Sequence, residues 1–135
     1  TCEVRDLTSG SLYLAQEAGA SLALLRGSDQ MGNEGSRTLV LISDQARILL
    51  WGDAESEGLK AMLPLLGSTP KPTYLLLPHH GSDSPHITAL LDQTNPIQTA
   101  ASTSSPAQLT QELHRRHHPP DQTHILGPLT WPSPE

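Results

Sequence analysis

From residue 46 onward, short apolar runs alternate with segments of helical pattern, and this alternation constrains the fold more than any other feature of the sequence. The runs at residues 46–51 (ARILLW), 73–77 (TYLLL) and 97–101 have the length and apolar content of buried strands. Alternating strands and helices typically form a sheet covered by helices, with functional residues at the strand ends. The sequence therefore predicts an α/β fold with a mixed sheet flanked by helices.

Upstream of residue 46 the pattern indicates strands without intervening helices. Residues 11–15 and 21–26 are two short strand candidates, and residues 38–43 (TLVLIS) are a third. Only Asp44 and Gln45 separate this third run from the next, which is a spacing typical of a hairpin. Both runs beside this turn are apolar at nearly every position, which predicts burial on both faces of the sheet.

Three helices are predicted from their start signals and periodicity. Asp53 opens the first, and Pro64 should kink it or end it early. Ser84 and Ser105, each followed by proline, are predicted to start the second and third helices. A last short strand is expected at residues 124–126.

Composition places limits on the kind of protein. The length of 135 residues fits one domain spanning residues 1–135, with an irregular Pro-rich tail at residues 128–135. A net charge of −6 and the lack of a strong basic patch argue against a stand-alone nucleic-acid binder. Cys2 is the single cysteine, which excludes an internal disulfide and a thiolate zinc cluster. Because the chain begins with Thr1 rather than Met, it is expected to be part of a longer protein.

Two polar motifs follow directly on predicted buried strands. Gly52-Asp53 follows the strand that ends in LLW, and His79-His80 follows the strand that ends in LLL. Side chains at the ends of adjacent strands can converge although they are far apart in sequence. A carboxylate and an imidazole are ligands that zinc and manganese accept. The motifs therefore predict a divalent metal site built from Asp53, His79 and His80.

The residues alone leave plainer interpretations open. Asp53 is also suited to cap the helix that follows it. His79 and His80 are also suited to bond nearby loop carbonyls. Residues 114–118 (HRRHH) place three histidines at helical spacing, and a solvated, cation-rich helix end explains them as well as metal binding does.

The polar motifs also form an ordered series. Asn33 and Ser36 belong to a polar loop that leads into an apolar strand, Asp53 ends a second strand, and PHHGS at residues 78–82 ends a third, followed shortly by Ser84. This series resembles the C-terminal part of the metallo-β-lactamase-like domain of the ComEC family of bacterial competence DNA-uptake proteins. The match covers about half of the chain.

The resemblance implies the C-terminal part of a four-layer αββα sandwich with a zinc or manganese ion at one sheet edge. Asp53 would ligate the metal, His80 would be the favoured histidine ligand, and His79 would be a further ligand or its neighbour. Asp53 and His80 would thus be the catalytic residues, and the metal would lower the pKa of a bound water. Five residues are implied as substrate-contacting or supporting groups: Asn33, Ser36, Gly81, Ser82 and Ser84.

The chain departs from the family pattern in two places. The principal ligand motif of the fold, His-x-His-x-Asp-His, does not occur in the 135 residues. The later Gly-His-Pro-like segment is replaced by residues 102–106. Catalytic zinc sites normally use three protein ligands and a water, so the chain alone is expected to be inactive. Either the motif lies upstream in a longer protein or this copy has lost it.

The function implied by the resemblance is that of a metal-dependent phosphodiesterase or nuclease acting on incoming, single-stranded DNA during transformation. The membrane-channel portion of the parent protein would be its partner, and the domain, itself soluble, would belong to a bacterial cell-membrane protein. Two alternatives remain: a non-catalytic remnant with a structural or docking role, and a hydrolase of the same fold acting on a small ester or lactone.

Overall fold

One seven-stranded sheet organises the described part of the chain, with its strands in chain order from β1 to β7. Neighbours from β1 to β4 are antiparallel, and neighbours from β4 to β7 are parallel. The computed structural model describes residues 11–17, 19–67, 69–81, 86–102 and 120–122. The strands are β1 (Ser11–Glu17), β2 (Ala20–Arg26), β3 (Arg37–Ile42), β4 (Arg47–Trp51), β5 (Thr73–Leu76), β6 (Gln98–Ala101) and β7 (Pro120–Gln122).

Within the described residues, two short helices connect parallel strands. Helix α1 (Ser56–Met62) joins β4 to β5, and helix α2 (Ile87–Thr94) joins β5 to β6. Both pack on one face of the sheet, because their buried side chains join those of the strands in a single cluster. No helix within the described ranges has the length and apolar character that crossing a membrane requires. The cluster members other than alanine are Leu25, Val40, Leu49, Trp51, Leu59, Met62, Leu66, Leu75, Leu77, Ile87, Leu90 and Leu91.

The predicted α/β class and the mixed sheet are confirmed. The hairpin between the third and fourth strands is also present, and its turn is stabilised by Ser43 Oγ, which accepts hydrogen bonds from the backbone N–H groups of Gln45 and Ala46 at 3.1 Å each. Pro64 has its expected effect, since α1 ends at Met62 and continues as a 3₁₀ turn at Leu63–Leu65.

The predicted start of the first helix is wrong by three residues. Helix α1 begins at Ser56, and Glu55 rather than Asp53 occupies the position before it. The physical reason is Ala54, which is buried in the core, so residues 52–55 form a non-helical connection between β4 and the helix. The predicted strand at residues 124–126, both later helix starts and the Pro-rich tail lie outside the described residues.

The face of the sheet opposite the helices is apolar and no described helix covers it. Leu22, Leu41 and Leu50 are each more than a third exposed there. The expectation of burial on both faces is therefore met on one face only within the described residues. Strand register aligns eight side chains in two rows, which we call the outer face: Leu24, Leu39, Leu50 and Leu76, then Leu22, Leu41, Ile48 and Tyr74.

A buried arginine, Arg47, lies at the amino ends of β4 and β5. The Arg47 side chain donates from Nε to Thr73 Oγ1 at 3.2 Å and from Nη1 to the Leu66 and Gly67 carbonyls at 3.3 Å. Only 2% of the residue is exposed, and this burial lowers the pKa of its guanidinium. Arg47 thus connects Leu66 and Gly67, which follow α1, to the sheet through hydrogen bonds.

Candidate functional site

Two polar segments meet at the carboxyl ends of β4 and β5. The first is residues 52–55, and the second is the turn Pro78–Gly81. The His79 N–H donates to the Gly52 carbonyl at 3.1 Å, which joins the segments through their backbones. Parallel neighbouring strands place their carboxyl ends at the same sheet edge, so the convergence expected from the sequence follows from the topology.

Both histidines have a left-handed backbone. His79 has φ of 47° and His80 has φ of 56°, a conformation that costs a residue with a Cβ roughly 1–2 kcal/mol. Two such residues in succession are uncommon, and strained backbone concentrates at functional sites, where the surrounding structure maintains it. The turn holds both imidazoles close to the carboxylates that follow β4.

His80 is held on both sides of its ring. Its Nδ1 lies 2.8 Å from the Ser102 carbonyl oxygen, and its Nε2 lies 3.4 Å from Asp53 Oδ1. Because a carbonyl only accepts hydrogen bonds, Nδ1 carries the proton in this contact. Nε2 then faces Asp53 either with a second proton or with a lone pair that a cation can bind. Both side chains are about half exposed, so solutes can reach the pair.

This geometry fits two corners of a metal site. Ligand bonds of about 2.1 Å in a tetrahedral site place neighbouring ligand atoms about 3.4 Å apart, which is the separation of Asp53 Oδ1 and His80 Nε2. A backbone carbonyl on the other ring nitrogen is the usual arrangement behind a metal-binding histidine. Within the described ranges, however, no group of three or more histidine, cysteine, aspartate or glutamate side chains comes together to hold an ion. The residues present therefore fit as an incomplete ligand set.

A second imidazole–carboxylate pair lies beside the first. His79 Nδ1 lies 3.1 Å from Glu55 Oε1, and the same oxygen accepts a hydrogen bond from Asn33 Nδ2 at 2.9 Å. Sequence reasoning missed Glu55, because a first-turn glutamate is ordinarily explained by the helix dipole. Its position two residues after Asp53 is the signal that identifies it once α1 is known to begin at Ser56.

The loop before β3 is packed closely against the start of α1. The Glu34 carboxylate accepts a hydrogen bond from the Gly58 N–H. A Cβ on Gly58 would lie 2.5 Å from the Glu34 carbonyl oxygen, so only glycine allows this approach. The packing places Asn33 beside Glu55, and its predicted role toward a substrate stays a prediction.

The other expected site residues are placed less directly. Ser36 lies behind Gly52, where a Cβ on the glycine would be 3.4 Å from Ser36 Cβ, and Gly81 ends the histidine turn. The roles of Ser36 and Gly81 stay predictions. Ser82 and Ser84 lie outside the described residues.

The plainer interpretations have different outcomes. Asp53 does not cap α1, because the helix starts three residues later. His80 does bond a loop carbonyl, but only through Nδ1, which leaves Nε2 with Asp53. The histidines within residues 114–118 lie outside the described ranges.

Chemically, this sheet edge offers two carboxylates and two imidazoles that solvent reaches. The Asp53–His80 pair can supply two ligands of a divalent cation, and the Glu55–His79 pair can orient a polar substrate. No protein-family model matches this chain, and a search of curated proteins found no significant sequence match.

Proposed function

We propose that this chain carries part of the active site of a metal-dependent hydrolase, in which Asp53 and His80 hold a zinc or manganese ion. The observation that supports this most is the 3.4 Å approach of Asp53 Oδ1 to His80 Nε2, with the other ring nitrogen held by a backbone carbonyl. A divalent ion, when bound, supplies a Lewis acid that activates water for hydrolysis. Asp53 contributes negative charge to such an ion, and Ser102 fixes the orientation of the His80 ring.

The substrate we propose is a phosphodiester, as in single-stranded DNA. The Arg37 carbonyl accepts the Gly52 N–H at 3.2 Å, which places this cationic residue next to the site in the fold, whereas its neighbour Arg26 on β2 is ion-paired with Asp29 at 3.9 Å. Guanidinium groups suit phosphate oxygens better than they suit a neutral ester or lactone. Together with the resemblance to ComEC proteins, this favours a nuclease that acts in DNA uptake, with the membrane-channel portion of a longer protein as partner.

The outer face supports the proposal that the chain is the C-terminal part of an αββα sandwich. It is apolar and partly exposed, and sheets with apolar faces pack on a second sheet at about 10 Å. The second sheet would come from another part of the protein and would also bring the missing metal ligands. Coordinates of a longer chain in which Leu22, Leu41 and Leu50 stay in contact with solvent would contradict this arrangement.

A non-catalytic remnant is the second candidate. It is favoured by the incomplete ligand set, since two side chains seldom hold a catalytic metal. In this case the same fold would support or dock onto the DNA channel without hydrolysis.

Binding of Mn²⁺, measured by calorimetry, and cleavage of a single-stranded oligonucleotide by the longer protein test the proposal. Asp53→Asn keeps the shape of the side chain but removes its charge, so we expect Mn²⁺ affinity to fall at least about tenfold and cleavage to be lost. Asp44→Asn, which makes the same change at an exposed hairpin residue, is the matched control and should behave like wild type. Undiminished cleavage by Asp53→Asn would refute the hydrolase, and a longer protein that binds no Mn²⁺ or Zn²⁺ would favour the remnant.

A further inference from the structure

Glu55 occupies the position before helix α1 but does not act as its cap. A side chain at this position ordinarily accepts a hydrogen bond from an N–H of the first helical turn. Glu55 makes no such bond, and the carboxylate of Glu34 accepts the Gly58 N–H in its place. The loop before β3 thus takes over the capping of α1. This leaves the Glu55 carboxylate available for another role.

The released carboxylate faces His79. Glu55 Oε1 lies 3.1 Å from His79 Nδ1 and is held by Asn33 Nδ2 at 2.9 Å. A carboxylate accepts hydrogen bonds, so the contact places the proton of His79 on Nδ1. With Nδ1 occupied and about a third of the side chain exposed, Nε2 is the nitrogen left for a ligand.

His79 differs from His80 in what that nitrogen can bind. The two ring centroids are 6.2 Å apart, whereas two imidazoles on one tetrahedral ion with bonds of about 2.1 Å have centroids only about 5 Å apart. In this geometry His79 is not a second ligand of the ion that Asp53 and His80 would hold. Its Nε2 lone pair is instead suited to accept a hydrogen bond from a water or a hydroxyl group.

We propose that Glu55, held by Asn33, is a positioning residue that fixes His79 as its Nδ1–H tautomer and so makes Nε2 a hydrogen-bond acceptor for the attacking water or a substrate hydroxyl. This inference rests on the proposed hydrolase for its function but not for its geometry. An acceptor nitrogen cannot donate a hydrogen bond to a non-bridging phosphate oxygen of a DNA backbone, so His79 orients the attacking water rather than the phosphate. Asn33 acts one step further back, by keeping Glu55 in place.

Long-range ¹H–¹⁵N correlation spectra of the metal-free chain test the tautomer directly, in buffer alkaline enough that both imidazoles are neutral. We expect His79 to be the Nδ1–H form in wild type and to shift mainly to the Nε2–H form in Glu55→Ala. Glu55→Gln retains an acceptor oxygen and should keep the wild-type tautomer. His80 is the internal control, because the Ser102 carbonyl holds its Nδ1 and neither substitution should change it. An Nε2–H form of His79 in wild type, or an unchanged tautomer in Glu55→Ala, would overturn the proposal.

A second measurement, on the longer protein, tests whether His79 contributes to hydrolysis without contributing to metal binding. Glu55→Ala should lower kcat about tenfold or more while Mn²⁺ affinity stays within about twofold, because Asp53 and His80 are unchanged. Glu55→Gln should recover most of kcat. Loss of Mn²⁺ affinity in Glu55→Ala would refute the role given to His79, and failure of the wild type to bind metal would refute the hydrolase while the tautomer result still decides the geometry.

Discussion

The two ends of the parallel strands β4 and β5 use polar side chains in opposite ways. At the amino ends, Arg47 is almost wholly buried, and its donors are fixed on Thr73 and on two carbonyls. At the carboxyl ends, His79 and His80 are partly exposed, have a strained backbone, and lie against carboxylates that solvent also reaches. The same pair of strands therefore supports one polar cluster that is closed to solvent and one that is open.

The difference in exposure between the two clusters indicates which end of the strands stabilises the sheet and which end can bind a ligand. Buried hydrogen bonds to a charged group contribute more than exposed ion pairs, which contribute about 0–1 kcal/mol. Strained residues in an exposed turn reduce stability, so their presence is better explained by a function. We therefore expect substitutions at the closed end to change unfolding, and substitutions at the open end to change binding.

The largest expected effect on stability is at Arg47. In Arg47→Ala the carbonyls of Leu66 and Gly67 lose a buried donor, and a cavity remains, so the free energy of unfolding should fall by about 3 kcal/mol. Urea unfolding followed by circular dichroism measures this. Arg47→Met keeps most of the volume and should lose less. An Arg47→Ala chain as stable as wild type would show that the closed end contributes nothing.

Glycine substitutions at the strained turn should change the free energy of unfolding by an intermediate amount, and they should raise it rather than lower it. His79→Gly and His80→Gly each relieve a left-handed Cβ, which should raise the free energy of unfolding by up to about 1 kcal/mol. The matched control is Asn95→Gly, at the left-handed residue that ends α2, where asparagine is tolerated and the gain should be smaller. Destabilised glycine variants would indicate that the imidazoles hold the turn together.

The smallest expected effect on stability is at Asp53. Its contact with His80 is about half exposed, so Asp53→Ala should change the free energy of unfolding by less than about 0.5 kcal/mol. Thermal unfolding of the metal-free chain measures this, with Asp44→Ala as the control. A loss comparable to that of Arg47→Ala would make Asp53 a structural residue and remove the contrast between the two ends.

The sheet was more predictable from the sequence than the site. Continuous apolar runs indicate buried strands directly, and two motifs at the ends of neighbouring strands were enough to bring Asp53 and His80 together. The start of α1 was not predictable from capping preferences, because the burial of Ala54 is a tertiary effect. Glu55 was missed for a related reason. Its carboxylate does not cap α1 because Glu34, which is 24 residues away from Gly58 in sequence, accepts the Gly58 N–H instead.

The backbone bond from the His79 N–H to the Gly52 carbonyl has a consequence for how this edge tolerates changes in chain length. This bond aligns the two segments that form the imidazole–carboxylate pairs. The carboxylates follow Gly52 in one segment, and the imidazoles belong to the other segment. Inserting or deleting a single residue in either segment would mismatch both pairs together. Variation in loop length among functional relatives should therefore be confined to places outside these two short stretches.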